Sequence, residues 1–268
     1  MRIKSNDQLR QILNVVTLIV TLVINWLANA LPINNITTAE ISDNLPSYFT
    51  PAGYAFAIWG LIYLSLLGFA IYQALPAQRA NPHARRIGYL FAFTGLVNSA
   101  WILAWHYATW NYGLSLLLMV ILLISLITIY SRLRIGRPET GHADRSRADK
   151  LLIHFPFSIY LGWITVATIA NAASVLNHWG WNGWGISEPV WSAIMMATAV
   201  TVAAVLLFNR ANLPYAGVLV WSLLAIYVNY ADVAVVAATA VGAAIAVAGL
   251  GLLGWYRVHW RRPAGLAR

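Results

Sequence analysis

The stretch PAGYAFAIWGLIYLSLLGFAIY, Pro51 to Tyr72, runs 22 residues without a charged side chain. An apolar run of about 20 residues is the length at which a helix crosses the hydrocarbon of a bilayer. Its Pro-Ala-Gly start reads as a bend where a loop feeds a helix, because Pro is tolerated only at the first turn. Trp59 and Tyr63 stand four apart and therefore share one helix face. Trp59 lies more than a turn past Pro51, deeper than the aromatic belt that marks a membrane interface.

The whole chain repeats this pattern. Of 268 residues 60% are hydrophobic and 9% charged, and the mean hydropathy is +0.66. Soluble domains are about one quarter charged, so the composition is that of an integral membrane protein. Apolar runs predict eight transmembrane helices at 11–32, 52–75, 87–106, 112–131, 151–176, 189–208, 213–230 and 233–256. All 17 Lys and Arg fall at the N-terminus (Arg2, Lys4, Arg10), in alternate connections or in the C-terminal tail. Those connections hold Arg79, Arg85 and Arg86, then Arg132, Arg134, Arg137, Arg145, Arg147 and Lys150, then Arg210; the tail holds Arg257, Arg261, Arg262 and Arg268. The other connections, 33–50, 107–111, 177–188 and 231–232, contain none. The positive-inside rule then puts both termini in the cytoplasm, and a bacterial inner membrane is the expected location. The net charge of +9 is thereby topological, which excludes nucleic acid as a partner. Membrane lipids remain partners, with anionic headgroups against the 132–150 loop as a secondary role. The apolar run before ANALP, Ala28 to Pro32, is too long for a signal peptide and reads as a retained first helix.

The predicted membrane interior holds no chemistry of the acid–base kind. The eight acids (Asp7, Glu40, Asp43, Glu139, Asp144, Asp149, Glu188, Asp232) sit in connections or at helix ends, which argues against a pump. With zero cysteines there are no disulfides and no thiolate metal sites. The six histidines show no metal-ligand spacing; a single axial haem ligand stays open beside ordinary interfacial placement. What the interior does hold is Trp, Tyr and Asn at helical spacing. Asn98, Trp101 and Trp105 stand at i, i+3 and i+7, and Trp163 and Asn171 are eight apart. An Asn in hydrocarbon needs a partner, so these faces look into the bundle. The stripes alone allow two readings: bundle packing with Asn ties, or a flat cavity walled by indoles for an apolar ring ligand. Pro156, Trp163 and Asn171 are echoed by Pro214, Trp221 and Asn229 at the same spacing. Ala238, Gly242 and Ala246 form a small-residue seam that packs internally or joins a homodimer. Trp179, Trp181, Trp184 and Trp191 read as interfacial anchors or as a lid.

Three ordered motifs resemble the TspO/MBR family, the tryptophan-rich sensory proteins that include the mitochondrial translocator protein. PAGYAFAIWGLIY is similar to the family's second-helix start and its Val-Trp-x-x-Leu-Tyr motif, with Trp59 and Tyr63 on the Trp and Tyr. VNSAW places Asn98 and Trp101 on its third-helix Leu-Asn-x-x-Trp, and IYLGWITVATIAN places Tyr160, Leu161, Trp163 and Asn171 on its fifth. Ile159 stands where the family has Pro, with the Pro displaced to Pro156. The resemblance covers about residues 11–180 and implies a five-helix bundle over 1–180, followed by three additional helices over 181–268. It implies a pocket for tetrapyrroles (porphyrin or haem), sterols or synthetic aromatics, covered by the loop between helices one and two. The residues expected to line it are Tyr54, Trp59, Tyr63, Asn98, Trp101, Trp105, Tyr160, Trp163 and Asn171. The covering loop, 33–50, has no basic residue to pair a porphyrin's propionates, which favours a neutral ligand. The expected function is an apolar-ligand binder or sensor without a catalytic residue or bound metal. The alternatives are a facilitator-type transporter of a hydrophobic solute and a tetrapyrrole-degrading enzyme using Trp59 and Trp163.

Overall fold

A computed structural model describes residues 5–31, 33–45, 47–107, 112–137, 146–208 and 210–260. Arg2, Lys4, Glu139, His142, Asp144, Arg145, Arg261, Arg262 and Arg268 of the charge pattern, and connection residues 108–111, lie outside them. Among the described residues there is no strand, and eight long helices follow in order. They are α1 Ser5–Ala30, α2 Ile58–Ala74, α3 Leu90–Tyr107, α4 Tyr112–Leu133, α5 Phe155–His178, α6 Glu188–Leu207, α7 Leu213–Asn229 and α8 Ala234–Trp260. Six stretches are long and apolar enough to cross a membrane: α1, Gly53–Ala74, α4, Arg147–His178, α6 and α8. Of the other two, α7 is apolar but only 17 residues long. The 18 residues of α3 include Asn98, Ser99 and His106, which dilute its apolar character. The chain is an all-α membrane protein.

Local chemistry sets three boundaries away from those read in the sequence. The run from Pro51 is not helical at once: Gly53–Ala57 form a 3₁₀ turn and the α-helix starts at Ile58. The run from 87 is broken at Gly88, whose φ of +63° only glycine adopts easily, so a short helix Pro82–Ile87 precedes α3. Ahead of α5, Lys150–His154 form a π turn; Pro156 follows it and has no N–H to give a helical bond.

Helix α5 occupies the centre, and its residues Pro156 to Val166 are buried on every side. Its contact with α7 is close at Gly162, where a Cβ would lie 3.0 Å from the Val218 Cβ and 3.2 Å from the Tyr215 carbonyl. The α1–α3 contact is a polar ladder. Thr21 donates to the Gly95 carbonyl at 3.0 Å, and the Asn25 amide donates to Asn98 Oδ1 at 2.9 Å. At the basic end, Arg85 donates to Asp7 at 3.0 Å, tying α1 to the short helix before α3. The last three helices form a flank: Gly254 of α8 sits so close to α6 that a Cβ would lie 2.3 Å from the Leu207 carbonyl. The seam of Ala238, Gly242 and Ala246 faces outward, with open space around Gly242; Ala240, Ala244 and Gly251 face the bundle instead.

Candidate ligand site

Trp59, Trp101, Trp105 and Trp163 converge from α2, α3 and α5 on one cavity. Asn171 and Phe56 complete its wall, with Thr38 and Ser42 closing the end opposite the basic connections. The cavity is about 50 Å³. A second, of about 140 Å³, lies toward α1 and is lined by Asn25, Asn29, Tyr63 and Ile102. The two share Thr38, Phe56 and Trp59, so these side chains are the partition between them. Small-ligand sites run to roughly 300–1,000 Å³. Both spaces are below that range, and a ring ligand fits only if the partition turns.

The aromatic arrangement follows from helix geometry. Trp59 stacks on Tyr63 one turn below it, with ring centres 5.1 Å apart and planes 20° off parallel. Trp101 stacks on Trp105 in the same way at 5.9 Å and 20°. Both pairs are i, i+4, the spacing at which side chains lie one above the other. Trp163 crosses edge-on to both Trp59 (6.2 Å) and Phe56 (5.7 Å), joining α5 to the second-helix face.

Among the described residues, three buried donors on the cavity walls lack a hydrogen-bond partner in the protein: Tyr63 Oη, Trp101 Nε1 and Asn171 Nδ2. Each can donate. The acceptor side of the Asn171 amide is already used by Ser115 at 3.3 Å, while Asn98 accepts from Asn25 and bonds the Tyr160 hydroxyl. A buried unpaired donor costs about 1–3 kcal/mol, so three in one region call for an explanation in acceptor atoms. Among the described residues, neither cavity's lining contains an Asp, Glu, Lys, Arg, His or Met.

The cover is the segment that the resemblance implied. Its short helix Thr38–Asp43 is held by a capping box: Thr37 donates N–H and O–H to the Glu40 carboxylate at 2.7 and 2.8 Å. Those bonds, the main-chain one first, hold the Glu40 carboxyl below its ordinary range. Trp105 Nε1 donates to the Thr38 carbonyl at 3.3 Å, and the His106 ring lies 3.1 Å from Thr38 Oγ1 and 3.0 Å from the Ile33 carbonyl. The lead-in to α2 is clamped by α7. The Ala52 N–H donates to the Ala225 carbonyl at 3.1 Å, Trp221 Nε1 to Ala55 at 3.3 Å, and Asn229 to Thr50 at 3.1 Å.

The structure thus brings Trp59, Tyr63, Trp101, Trp105, Trp163 and Asn171 to the two cavities. Asn98 sits behind them through its bond to Asn25, and Tyr160 packs edge-on to Trp59 at 6.0 Å. Tyr54 is elsewhere: it is 46% exposed and lies edge-on against Trp221 of α7 at 5.1 Å. In the 3₁₀ turn, successive side chains diverge sharply, so Phe56 rather than Tyr54 points into the site. Phe56, Thr38 and Ser42 were missed because no stripe or spacing marks them; they come from the turn and the cover. The echo pairs Trp163–Asn171 and Trp221–Asn229 do different work, the first lining the cavity and the second holding the lead-in.

Trp181, Trp184 and Trp191 form one cluster with ring centres 4.8 to 5.8 Å apart. Trp181 and Trp191 line a separate cleft of about 430 Å³ between α5 and α6, not the indole-walled cavity.

The described residues thus form an all-helical membrane bundle with an indole-walled internal cavity under a capped loop. The chain belongs to the TSPO-like protein family, whose model matches residues 11–253. The match runs from α1 into α8 and so takes in the last three helices as well as the first five. Neither the curated proteins nor the solved structures offer a significant match.

Proposed function

We propose that the protein binds a neutral apolar ring ligand carrying hydrogen-bond acceptors, in the space between α2, α3 and α5. The observation that carries this reading is the convergence of three unpartnered buried donors on an aromatic wall with no charged residue among the described residues. Trp59, Trp101, Trp105 and Trp163 supply stacking surface. Tyr63, Trp101 and Asn171 supply donors to a carbonyl or ring nitrogen. Entry of the ligand turns Phe56 and Trp59 and joins the two cavities.

The residues present do not suit haem or a free porphyrin. Among the described residues, neither cavity offers a His, Cys or Met for iron, or a Lys or Arg for propionates. A sterol ketone or a comparable neutral polycycle suits the donor set better. In this reading all eight helices cross the membrane, and the basic connections place both termini in the cytoplasm of a bacterial inner membrane. The first five helices are the binding bundle. The last three buttress it, since no described residue beyond Ser174 lines either cavity.

Titrating the purified full-length chain with a sterol ketone, protoporphyrin IX and haem, while following tryptophan fluorescence, tests this reading. Saturable quenching by the neutral ketone, weaker with the two porphyrins and lost in Trp59→Ala, is expected. Folded protein that shows no saturable quenching with any of the three would sink the reading.

A further inference from the structure

A second site, unrelated to the indole cavity, stands at the opposite end of the bundle. A cleft of about 510 Å³ opens where α4 ends, α5 and α7 begin, and α8 finishes. Arg137, Arg147, Lys150, His154 and His259 all line it, and among the described residues no carboxylate does. The acid nearest in sequence, Asp149, is engaged elsewhere, accepting from Asn81 at 2.9 Å and from Ser146 at 2.7 Å.

The cleft is built into the fold. Arg134 and Gly136 both have positive φ, +52° and +74°, which turns the chain sharply out of α4 just before Arg137. Gly136 then accepts from the Ala211 N–H at 2.7 Å, and a Cβ on it would lie 3.0 to 3.1 Å from Arg210 and Ala211. Only glycine lets these two connections meet, and their junction forms one wall. On the facing wall the π turn Lys150–His154 replaces regular helix, and it carries both Lys150 and His154 into the lining. Such turns inside helices recur at functional sites. The first hydroxyl of α5, Ser158, also lines the cleft and donates to the His154 carbonyl at 2.7 Å.

We infer that this cleft binds a phosphate group. Two guanidinium forks and an ammonium, with imidazoles beside them, exceed what one carboxylate neutralises and match the several acceptor oxygens of a phosphate. Basic pockets between helices at the cytoplasmic side of membrane proteins hold lipid phosphates in this way. The same chemistry would take the headgroup of an anionic phospholipid or a free di- or polyphosphate. The inference does not depend on the ring-ligand reading, because no residue is shared between the two sites.

The test uses the full-length chain, delipidated in neutral detergent. Thermal unfolding is followed against phosphatidylglycerol, phosphatidylcholine, pyrophosphate and chloride at matched ionic strength. Saturable stabilisation by phosphatidylglycerol alone would assign the site to a lipid headgroup; stabilisation by pyrophosphate, alone or as well, would assign it to phosphate in solution. Either result supports the inference, provided phosphatidylcholine and chloride give none. The double variant Arg137→Gln, Arg147→Gln should raise the apparent Kd at least about tenfold, with partial recovery in Arg147→Lys. Arg86→Gln with Arg132→Gln, exposed basic residues outside the cleft, should leave it unchanged. No saturable stabilisation by either phosphate, or an equal loss in the control pair, would overturn the inference.

Discussion

Phe56 has a leverage that its unremarkable place in AGYAFAIW does not advertise. It stands between spaces of about 50 and 140 Å³, edge-on to Trp163 at 5.7 Å. Removing its ring in Phe56→Ala should join the two spaces permanently and tighten ring-ligand binding several-fold, because the protein no longer has to open the partition. Stability should fall by up to about 3 kcal/mol, since the side chain is only half-buried. Fluorescence titration beside chemical unfolding checks both. Weaker binding by a folded variant would mean that Phe56 is itself a stacking wall. At this scale the sequence was legible wherever helix periodicity applied: Trp59, Trp101, Trp105 and Asn171 fall on stripes that reach the cavity. It was illegible at Tyr54 and Phe56, because periodicity assigns a face only once the helix has begun, and it begins at Ile58.

Helix contacts and caps carry the next set of consequences. Gly254 and Gly242 are both glycines of α8, yet their surroundings are opposite. A Cβ at Gly254 would meet two backbone carbonyls, Leu207 at 2.3 Å and Arg210 at 2.5 Å, whereas at Gly242 it meets nothing within 4 Å. Gly254→Ala should cost about 2 kcal/mol or more in detergent unfolding, and Gly242→Ala should be neutral to within about 0.5 kcal/mol. A small-residue spacing alone pointed to Gly242; only the packing shows that Gly254 is the close approach. The cover helix Thr38–Asp43 depends on the Glu40 carboxylate. With its folded pKa lowered, Glu40 contributes fully above the ordinary carboxylate range, and the contribution is lost as pH falls through the lowered value. Amide exchange of residues 38–44 should therefore be unchanged from neutral pH into the mildly acidic range. It should accelerate, beyond the intrinsic pH effect, only below that range, and Glu40→Ala should show the acceleration already at neutral pH.

For the molecule as a whole, the charge pattern and the apolar runs gave the all-helical membrane class, and the structure's eight long helices overlap the eight runs closely. What the runs could not give was the job of the last three. Trp221 and Asn229 share the spacing of Trp163 and Asn171, but spacing does not say which neighbour a face meets. In the fold they clamp the lead-in to α2 instead of lining the cavity. The topology is open to direct check because the chain has zero cysteines. Single cysteines at Ala80 and Ser187 should be labelled by an impermeant maleimide from opposite sides of the membrane, Ser187→Cys from outside the cell. Labelling of both from one side would refute the eight-span arrangement.

The claim that the cavity reads acceptor atoms has its most direct test in one paired measurement. Binding of a polycyclic ketone is compared with that of the same ring system lacking the carbonyl, in the native chain and in Asn171→Leu. The account expects the ketone to bind about tenfold more tightly in the native chain, with that preference gone in the variant while the hydrocarbon's affinity is little changed. Equal affinity for the two ligands in the native chain, or a preference that survives in Asn171→Leu and Tyr63→Phe alike, would contradict it.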